Sequence, residues 1–339
     1  MKTFIRAAAL SLLLLVLSLS QVLAQDNGPL AIRIGYQRGS LYNVPQVLDG
    51  LKTALHDGLG RDVDVTLTPF PAGPPLLEAL NSGGIDLGST GDTPVIFALA
   101  ADTPLVLIGS QLSTGGSGIL VSKDSPIQTV ADLKGKKVAY TVGSSANYLT
   151  IQALKTVGLQ LTDIQPQNLQ PGDARAAFEG GSIDAWTIWD PYQTIALAGG
   201  NARSIFDSSQ LPPTRGYQEA SVAFAHDHSD AIEIVLQQYQ KAIEWARSNP
   251  DDYAAYLEQE TSVPAATWKT IYTQTPPADL EYITPAIVAQ EQSVADTFFQ
   301  LNLIPKALDI SAAAWDPAGF VPPTAEATAS PTAESTSSS

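Results

Sequence analysis

The sequence predicts an α/β protein built as two similar lobes, and three observations carry that prediction. Strand, loop and helix patterns alternate from Leu30 onward, which is the signature of strands covered by helices. The chain also matches itself at an offset of 98: residues 79–92 (ALNSGGIDLGSTGD) lie over 177–190 (AFEGGSIDAWTIWD), with identities at Ala79/Ala177, Gly83/Gly181, Ile85/Ile183, Asp86/Asp184 and Asp92/Asp190. Unrelated sequence would give about one such identity, so each half reads as helix, Gly turn, strand, Asp, helix. Length is the third observation. Of 339 residues, what lies between the two termini amounts to roughly two domains at about 150 residues each.

The elements follow in order. Leu30-AIRIGY reads as a strand, and Val44–Leu59 carries Val44, Val47, Leu48, Leu51 and Leu55 at helical spacing. DVDVTLTPF alternates like a strand, PLLEAL makes a short helix, IDLGS a buried strand, and TPVIFALAA a helix with Pro94 in its first turn. PLVLIGS and GILVSKDS are strand-like and flank a Gly-rich loop, after which KVAYTVGSSANYLTIQALKTVG restarts the alternation. SVAFAHD reads as the last strand. From Ser229 helices take over: Ile232, Val235, Leu236, Tyr239, Ile243 and Ala246 share one face, and Thr284–Phe299 is a further helix.

The termini and the charge narrow the class of protein. Lys2 and Arg6 precede an apolar run, Ala7–Leu19, that is too short to span a bilayer and is followed by the small residues of a cleavage site. Residues 1–24 are therefore expected to be a signal peptide. Residues 322–339 (PPTAEATASPTAESTSSS) have little apolar bulk to bury and are expected to be a disordered tail. The formal charge is -16, and removal of Lys2 and Arg6 makes it more negative still. Such a chain repels phosphate backbones, so no nucleic-acid partner is expected. With no Cys there is no disulfide framework, thiolate metal site or lipid-anchored cysteine. The expectation is a secreted monomer that is periplasmic or otherwise extracytoplasmic and not lipid-anchored.

In open α/β sheets ligands meet the carboxyl ends of strands, where loops lead into helix N-termini. Four loops qualify: Tyr36–Ser40, Ser89–Thr93, Val142–Ala146 and Trp189–Pro191. Asp92 and Asp190 place carboxylates where an N-cap belongs. Gly39-Ser40 and Gly143-Ser144-Ser145 offer neutral donors at helix starts, each carrying about half a positive charge. An anion should sit there, helped by Gln37 and Arg38. Trp189 is the candidate for an apolar wall around a ligand tail, while Trp186, of opposite parity on its strand, belongs to the core.

Enzyme chemistry finds less support. Gly115-Gly116-Ser117-Gly118-Ile119 lacks the last Gly of a nucleophile elbow. There are three His, and His226-Asp227-His228 has no third metal ligand near it in sequence. No phosphate-binding G-x-x-x-x-G-K-[ST] loop is present. No cofactor or metal is expected.

The strings IGYQRG, FPAGPPLLEALNSGGIDLGSTGDTPVIFALAA, VSKDSPIQTVADLKGKKVA, GSSANYL and DARAAFEGGSIDAWTIWDPY resemble those of the aliphatic sulfonate substrate-binding proteins of ABC importers. The similarity runs from about Ile32 to Pro305. It implies a two-lobed type II periplasmic binding protein fold with the ligand between the lobes. Lobe one would comprise residues 28–119 plus 223–321, and lobe two residues 120–222. The implied role is non-catalytic: capture of an alkanesulfonate or taurine and delivery to a membrane permease. Relatives that bind nitrate, bicarbonate or thiamine-precursor pyrimidines offer an alternative ligand, and a secreted sulfate or phosphate ester hydrolase an alternative class. By motif the resemblance carries over Gln37, Thr90, Gly91, Asp92, Ser144, Ser145, Trp189 and Asp190 as ligand-binding residues.

Overall fold

The computed structural model describes residues 28–113, 115–274 and 276–316. The expected signal peptide and C-terminal tail lie outside them. Two sheets organise the chain. The first contains β1 (Leu30–Gln37), β2 (Val63–Phe70), β3 (Leu87–Gly91), β4 (Leu105–Ser113), β10 (Thr214–Ser221) and β11 (Leu280–Glu281), in the order β11-β4-β10-β3-β1-β2. The second contains β5 (Ser117–Ser122), β6 (Lys137–Tyr140), β7 (Gln165–Asn168), β8 (Ala185–Trp189) and β9 (Ala202–Asp207), in the order β7-β6-β8-β5-β9.

Each sheet has a parallel trio, β2-β1-β3 and β7-β6-β8. Beside each trio runs an antiparallel strand: β10, which follows the whole of the second sheet in the chain, pairs with β3 and β4, and β5 pairs with β8 and β9. The expected lobe boundaries are displaced accordingly. β5 starts at Ser117, before the expected boundary at 119, and β10, expected in lobe two, is paired within the first sheet. Alternating hydrophobicity marks a strand as half-buried but does not say which sheet it joins, so the insertion of β10 left no local trace.

Helices cover both faces of each sheet. In lobe one, α1 (Pro45–Leu59) buries Leu51 and Leu55 and stops at Gly60, whose positive φ lets its N–H turn back to the His56 carbonyl. It shares a core with α7 (Val222–Asp227), α8 (Ser229–Ser248) and α9 (Pro250–Thr261). The predicted apolar face of α8 is buried along its length. On the opposite face sit α2 (Gly73–Asn81), α3 (Asp92–Ala100) and α11 (Pro285–Gln300). The helix α10 (Ala265–Gln274) packs on α9. In lobe two, α4 (Ser145–Thr156) covers one face, and α5 (Pro171–Glu179) with α6 (Tyr192–Ala198) covers the other.

Two further readings are corrected. SVAFAHD is not a strand: Ser221 caps α7, its hydroxyl accepting from Phe224 N–H, and this short cap outweighs the run of apolar residues. A strand does follow it, the two-residue β11 on the edge of β4, which is too short to show a period. The internal repeat, by contrast, is visible in atoms. Asp86 and Asp184 each accept from the backbone N–H of the neighbouring strand, at Arg33 and Lys137, at 2.8 Å, and each donates its own N–H back to the same residue's carbonyl. Gly83 and Gly181 both turn with positive φ just before them.

Candidate functional site

Three helix N-termini meet between the lobes. The N-caps of α2, α3 and α4 are Ala72, Gly91 and Ser144, and none makes a side-chain capping bond. A helix leaves its first N–H groups without partners inside the helix, but Pro74 and Pro75 have none to offer at α2, and at α3 Thr93 N–H goes to the Asp92 carboxylate and Pro94 has none, so the start of α4 is the richest in free donors and partial positive charge. They border a cavity of about 150 Å³ lined by Gln37, Gly73, Gly91, Ser144, Ser145, Trp189 and Arg215, among others. Space there is tight: a Cβ at Gly91 would collide with the Ser145 hydroxyl, and one at Gly73 with Pro94. The Gln37 amide is steadied by donating to the Ser89 carbonyl at 3.2 Å. Trp189 is half-buried and meets Tyr192 edge-on at 6.3 Å.

A second cavity of about 390 Å³ continues from the first, sharing Ser113, Ser117, Ser145, Thr214 and Arg215 with it. Its walls add Asp92, Tyr148, Leu149, Gln152, Leu211 and Glu291. Asp92 is not the N-cap of α3 but its first residue. Its Oδ1 accepts from Thr93 N–H, the Thr93 hydroxyl and, across the cleft at 2.9 Å, the Ser145 hydroxyl. Burial pushes the Asp92 carboxyl up, and the Thr93 and Ser145 bonds only partly oppose that. Behind it the Thr90 hydroxyl donates to Glu219 at 2.5 Å, and desolvation pushes that carboxyl up to about 8.

Five of the eleven residues singled out from sequence line the smaller cavity: Gln37, Gly91, Ser144, Ser145 and Trp189. Asp92 lines the larger one. The other five line neither. Arg38 is exposed and donates to the Glu260 carbonyl, while Ser40 caps the short 3₁₀ helix Leu41–Asn43 by accepting from Tyr42 N–H. The Gly39-Ser40 turn thus leads into that single turn and not directly into α1, which leaves no long-helix dipole at Ser40. Gly143 spends its N–H on the Asn147 side chain, and Thr90 faces Glu219. Asp190 lies one residue before the N-cap of α6, Pro191, and its Oδ1 takes Thr194 N–H and the Thr194 hydroxyl. It does the work of a cap from outside the cap position. Ser144 also departs from expectation: its hydroxyl donates to the Thr141 carbonyl, so that hydrogen is not available to a ligand, although the residue lines the cavity.

A family model described as NMT1/THI5 like matches residues 60–253. The chain belongs to the NMT1/THI5-like family. An Escherichia coli (strain K12) relative named as an aliphatic sulfonates-binding protein is 40% identical over 295 residues, covering 87% of this chain and 91% of its own. The crystal structure of the periplasmic aliphatic sulphonate binding protein SsuA from Escherichia coli superposes with a TM-score of 0.73 at 41% identity, covering 85% of this chain and 98% of that one. The alkanesulfonate-binding protein SsuA from Xanthomonas axonopodis pv. citri, bound to MOPS, superposes with a TM-score of 0.78 at 35% identity over the same shares. The two-lobed α/β architecture of this NMT1/THI5-like protein is that of periplasmic binding proteins.

Sequence reasoning passed over several residues that this NMT1/THI5-like cleft uses. Gly73 opens α2 with Pro74 and Pro75 behind it, and a Gly-Pro-Pro start without Ser, Thr, Asp or Asn is itself a sign of an uncapped helix end. Arg215 stands on β10, in a segment expected in lobe two and paired instead within the first sheet. Its Nη1 donates to Glu281 at 2.9 Å and to the Ser110 hydroxyl, and its Nε to Gln290. Glu219 and Glu291 gave no signal, because a single acid in a strand or helix ordinarily faces water. Among the described residues no helix is long and apolar enough to cross a membrane, and no cluster of three or more His, Asp or Glu is placed to hold a metal ion.

Proposed function

We propose that this protein is a non-catalytic, extracytoplasmic receptor that binds an aliphatic sulfonate between its lobes and delivers it to the permease of an ABC importer. The observation that carries this reading is the convergence of three helix starts, none with a capping side chain at its N-cap and that of α4 free of acidic residues in its first turn, on one small cavity walled by Trp189. A sulfonate stays anionic at every physiological pH and accepts from several neutral donors at once, so it suits the backbone N–H groups at the start of α4 and the Gln37 amide, whose second N–H is left over from its bond to the Ser89 carbonyl. Its alkyl tail suits the Trp189 ring. Arg215 is the cation at this cavity, and its pairing with Glu281 leaves most of the recognition to dipoles. The sulfonate-binding relatives support the same ligand class.

Hinge closure around the ligand would present a single two-lobed surface to the permease. The residues placed in contact with the anion are Gln37, Gly91, Ser144 and Ser145, with Trp189 along the tail. Thr90, Asp92 and Asp190 support the loops that carry them. Arg38, Ser40 and Gly143 stand outside the contact set. The decisive experiment is a thermal-shift panel of alkanesulfonates, taurine, nitrate, bicarbonate and pyrimidines. Ligand at 100 times its Kd should stabilise the fold by about 2.7 kcal/mol. Stabilisation by alkanesulfonates supports the reading, and a shift with nitrate or pyrimidine alone overturns it. Chromogenic sulfate and phosphate esters should pass unhydrolysed, since turnover above buffer would make the protein a hydrolase.

A further inference from the structure

Asp92 stands at the seam between the lobes, beside the anion cavity. It opens α3 of lobe one, while the Ser145 hydroxyl that donates to it at 2.9 Å belongs to lobe two and to a residue lining that cavity. Only 1% of Asp92 is exposed. Its Oδ1 accepts from Thr93 N–H, the Thr93 hydroxyl and Ser145, whereas Oδ2 has no partner. A buried carboxylate with one bare oxygen is poorly compensated for the hydration it gave up.

The elements packed on α3 are α2, β3, β10, α4 and α11, and they bring Asp92 no free cation. No residue of β3 titrates, and Glu78 of α2, Lys155 of α4 and Asp296 of α11 are exposed. Facing inward are Tyr148 of α4, Arg215, Tyr217 and Glu219 of β10, and Glu291 of α11. The Arg215 guanidinium is already engaged by Glu281, Gln290 and Ser110. Glu219 bonds to Thr90, and desolvation pushes it up to about 8. Glu291 faces Tyr217, and burial followed by the charge of Asp92 pushes it well above the usual carboxylate range. Both glutamates therefore hold their protons at neutral pH, which leaves Asp92 as the acid of this group whose charge can still change. Burial pushes it up as well, against the Thr93 and Ser145 bonds.

A sulfonate held at the start of α4 sets a fixed negative charge next to the residue that bonds Asp92. Like charges repel strongly where water is excluded. The sulfonate cannot be neutralised, but Asp92 can. We propose that sulfonate binding is coupled to the uptake of a proton at Asp92, so that the protein holds its ligand more tightly in acid than in alkaline surroundings. The inference rests on the sulfonate reading above and adds a regulation to it. The proton comes from solvent and adds to Oδ2, leaving Oδ1 to accept from Thr93 and Ser145. It strengthens sulfonate binding by the same factor by which sulfonate strengthens its own binding. Because the anion favours the neutral acid, affinity is highest at low pH and is lost as pH rises through the range where Asp92 ionises. Parting the lobes at the Asp92–Ser145 contact opens the carboxyl to water, so the proton exchanges in the open form and is retained on closure.

Calorimetric titration with butanesulfonate, which has no proton of its own to exchange, tests the coupling. Cacodylate and imidazole buffers differ in their heats of protonation, and neither is a sulfonate. Near neutral pH the binding heats in the two should differ by the amount expected for uptake of about half a proton or more, and Kd should rise about tenfold between about pH 5.5 and about pH 8. Asp92→Asn keeps an oxygen for Thr93 and Ser145 but cannot ionise. Its uptake should vanish, and at about pH 8 it should bind within about threefold of the unaltered protein in acid. Glu219→Gln, at a carboxyl already protonated, should leave the uptake near neutral pH in place. Equal heats with a flat Kd, uptake that survives Asp92→Asn or disappears in Glu219→Gln, or loss of binding in Asp92→Asn would each overturn the coupling and leave the sulfonate reading standing. Failure of the unaltered protein to bind any alkanesulfonate from ethane to octane across this pH range would instead bring down the sulfonate reading itself.

Discussion

Asp92 and Asp190 occupy matching places in the two halves of the chain, yet their surroundings differ. Asp190 is half-buried near the mouth, pairs with Thr194 of its own helix, and answers a local need of α6. Asp92 is sealed between the lobes, bonds to Ser145 of the other lobe, and shares its surroundings with Glu219 and Glu291. The repeated unit supplies a frame, and the residues around it decide whether the same carboxylate caps a helix or faces a ligand cavity. A similar asymmetry holds one strand earlier. Asp86 binds both the backbone and the guanidinium of Arg33, whereas Asp184 binds only the backbone N–H of Lys137.

The strongest way to break the comparison is to make the second lobe acidic at the cleft. Ser145→Asp sets a carboxylate at the start of α4, opposite Asp92 and beside the anion cavity. Sulfonate affinity should fall on the order of a thousandfold by calorimetry, with the circular dichroism spectrum unchanged. An affinity left intact would place the anion elsewhere. The Asp86/Asp184 pair sharpens the comparison through stability. In urea, Asp86→Ala should lose about 2 kcal/mol and Asp184→Ala about 1 kcal/mol, because the first also strands a charged side chain. Equal losses would mean that the Arg33 pair, whose guanidinium is partly exposed, contributes nothing.

Next in size is a pH effect centred on the first lobe, where Asp92, Glu219 and Glu291 are all raised by burial, as Asp190 is in the second. Burial pushes the Glu219 carboxyl up to about 8, from 4.5 ordinarily. Below 4.5 both folded and unfolded chains hold the proton; above it the unfolded chain ionises first, so stability present at low pH is lost as pH rises toward 8. The ligand-free melting temperature should therefore drop between pH 5 and pH 8, and Glu219→Gln should flatten the drop by several degrees. A slope unchanged in the variant would assign the effect to other groups. The smallest effect is expected at Arg38, where Ala should change sulfonate affinity by less than about twofold, since only one exposed bond to a carbonyl is lost.

Much of the frame was legible because it depends on local patterns. The apolar face of α8, the Gly turns before Asp86 and Asp184, and the burial of Trp186 all follow from spacing within a few residues. Five of the anticipated residues gather at the small cavity for the same reason: a loop at the end of a parallel strand leads to a helix start. What was hidden depends on partners distant in the chain or on which nearby group wins a side chain. The insertion of β10 between β3 and β4 is a matter of long-range pairing. The inward turn of the Ser144 hydroxyl follows from the nearby Thr141 carbonyl, which competes for it. Arg215 and Glu291 reach the cleft from elements some seventy-five residues apart, joined through Gln290, and no motif links them.

The late insertion of β10 also bears on how the molecule is made. Every strand of the second sheet comes from one unbroken stretch, 117–207, while the first sheet lacks its central antiparallel strand until Ser221 has emerged. During synthesis or passage across a membrane the leading half must therefore wait, with the β3 edge unpaired, for the segment that follows to be completed. The order in which the chain appears is thus the reverse of the order in which its two domains can finish folding.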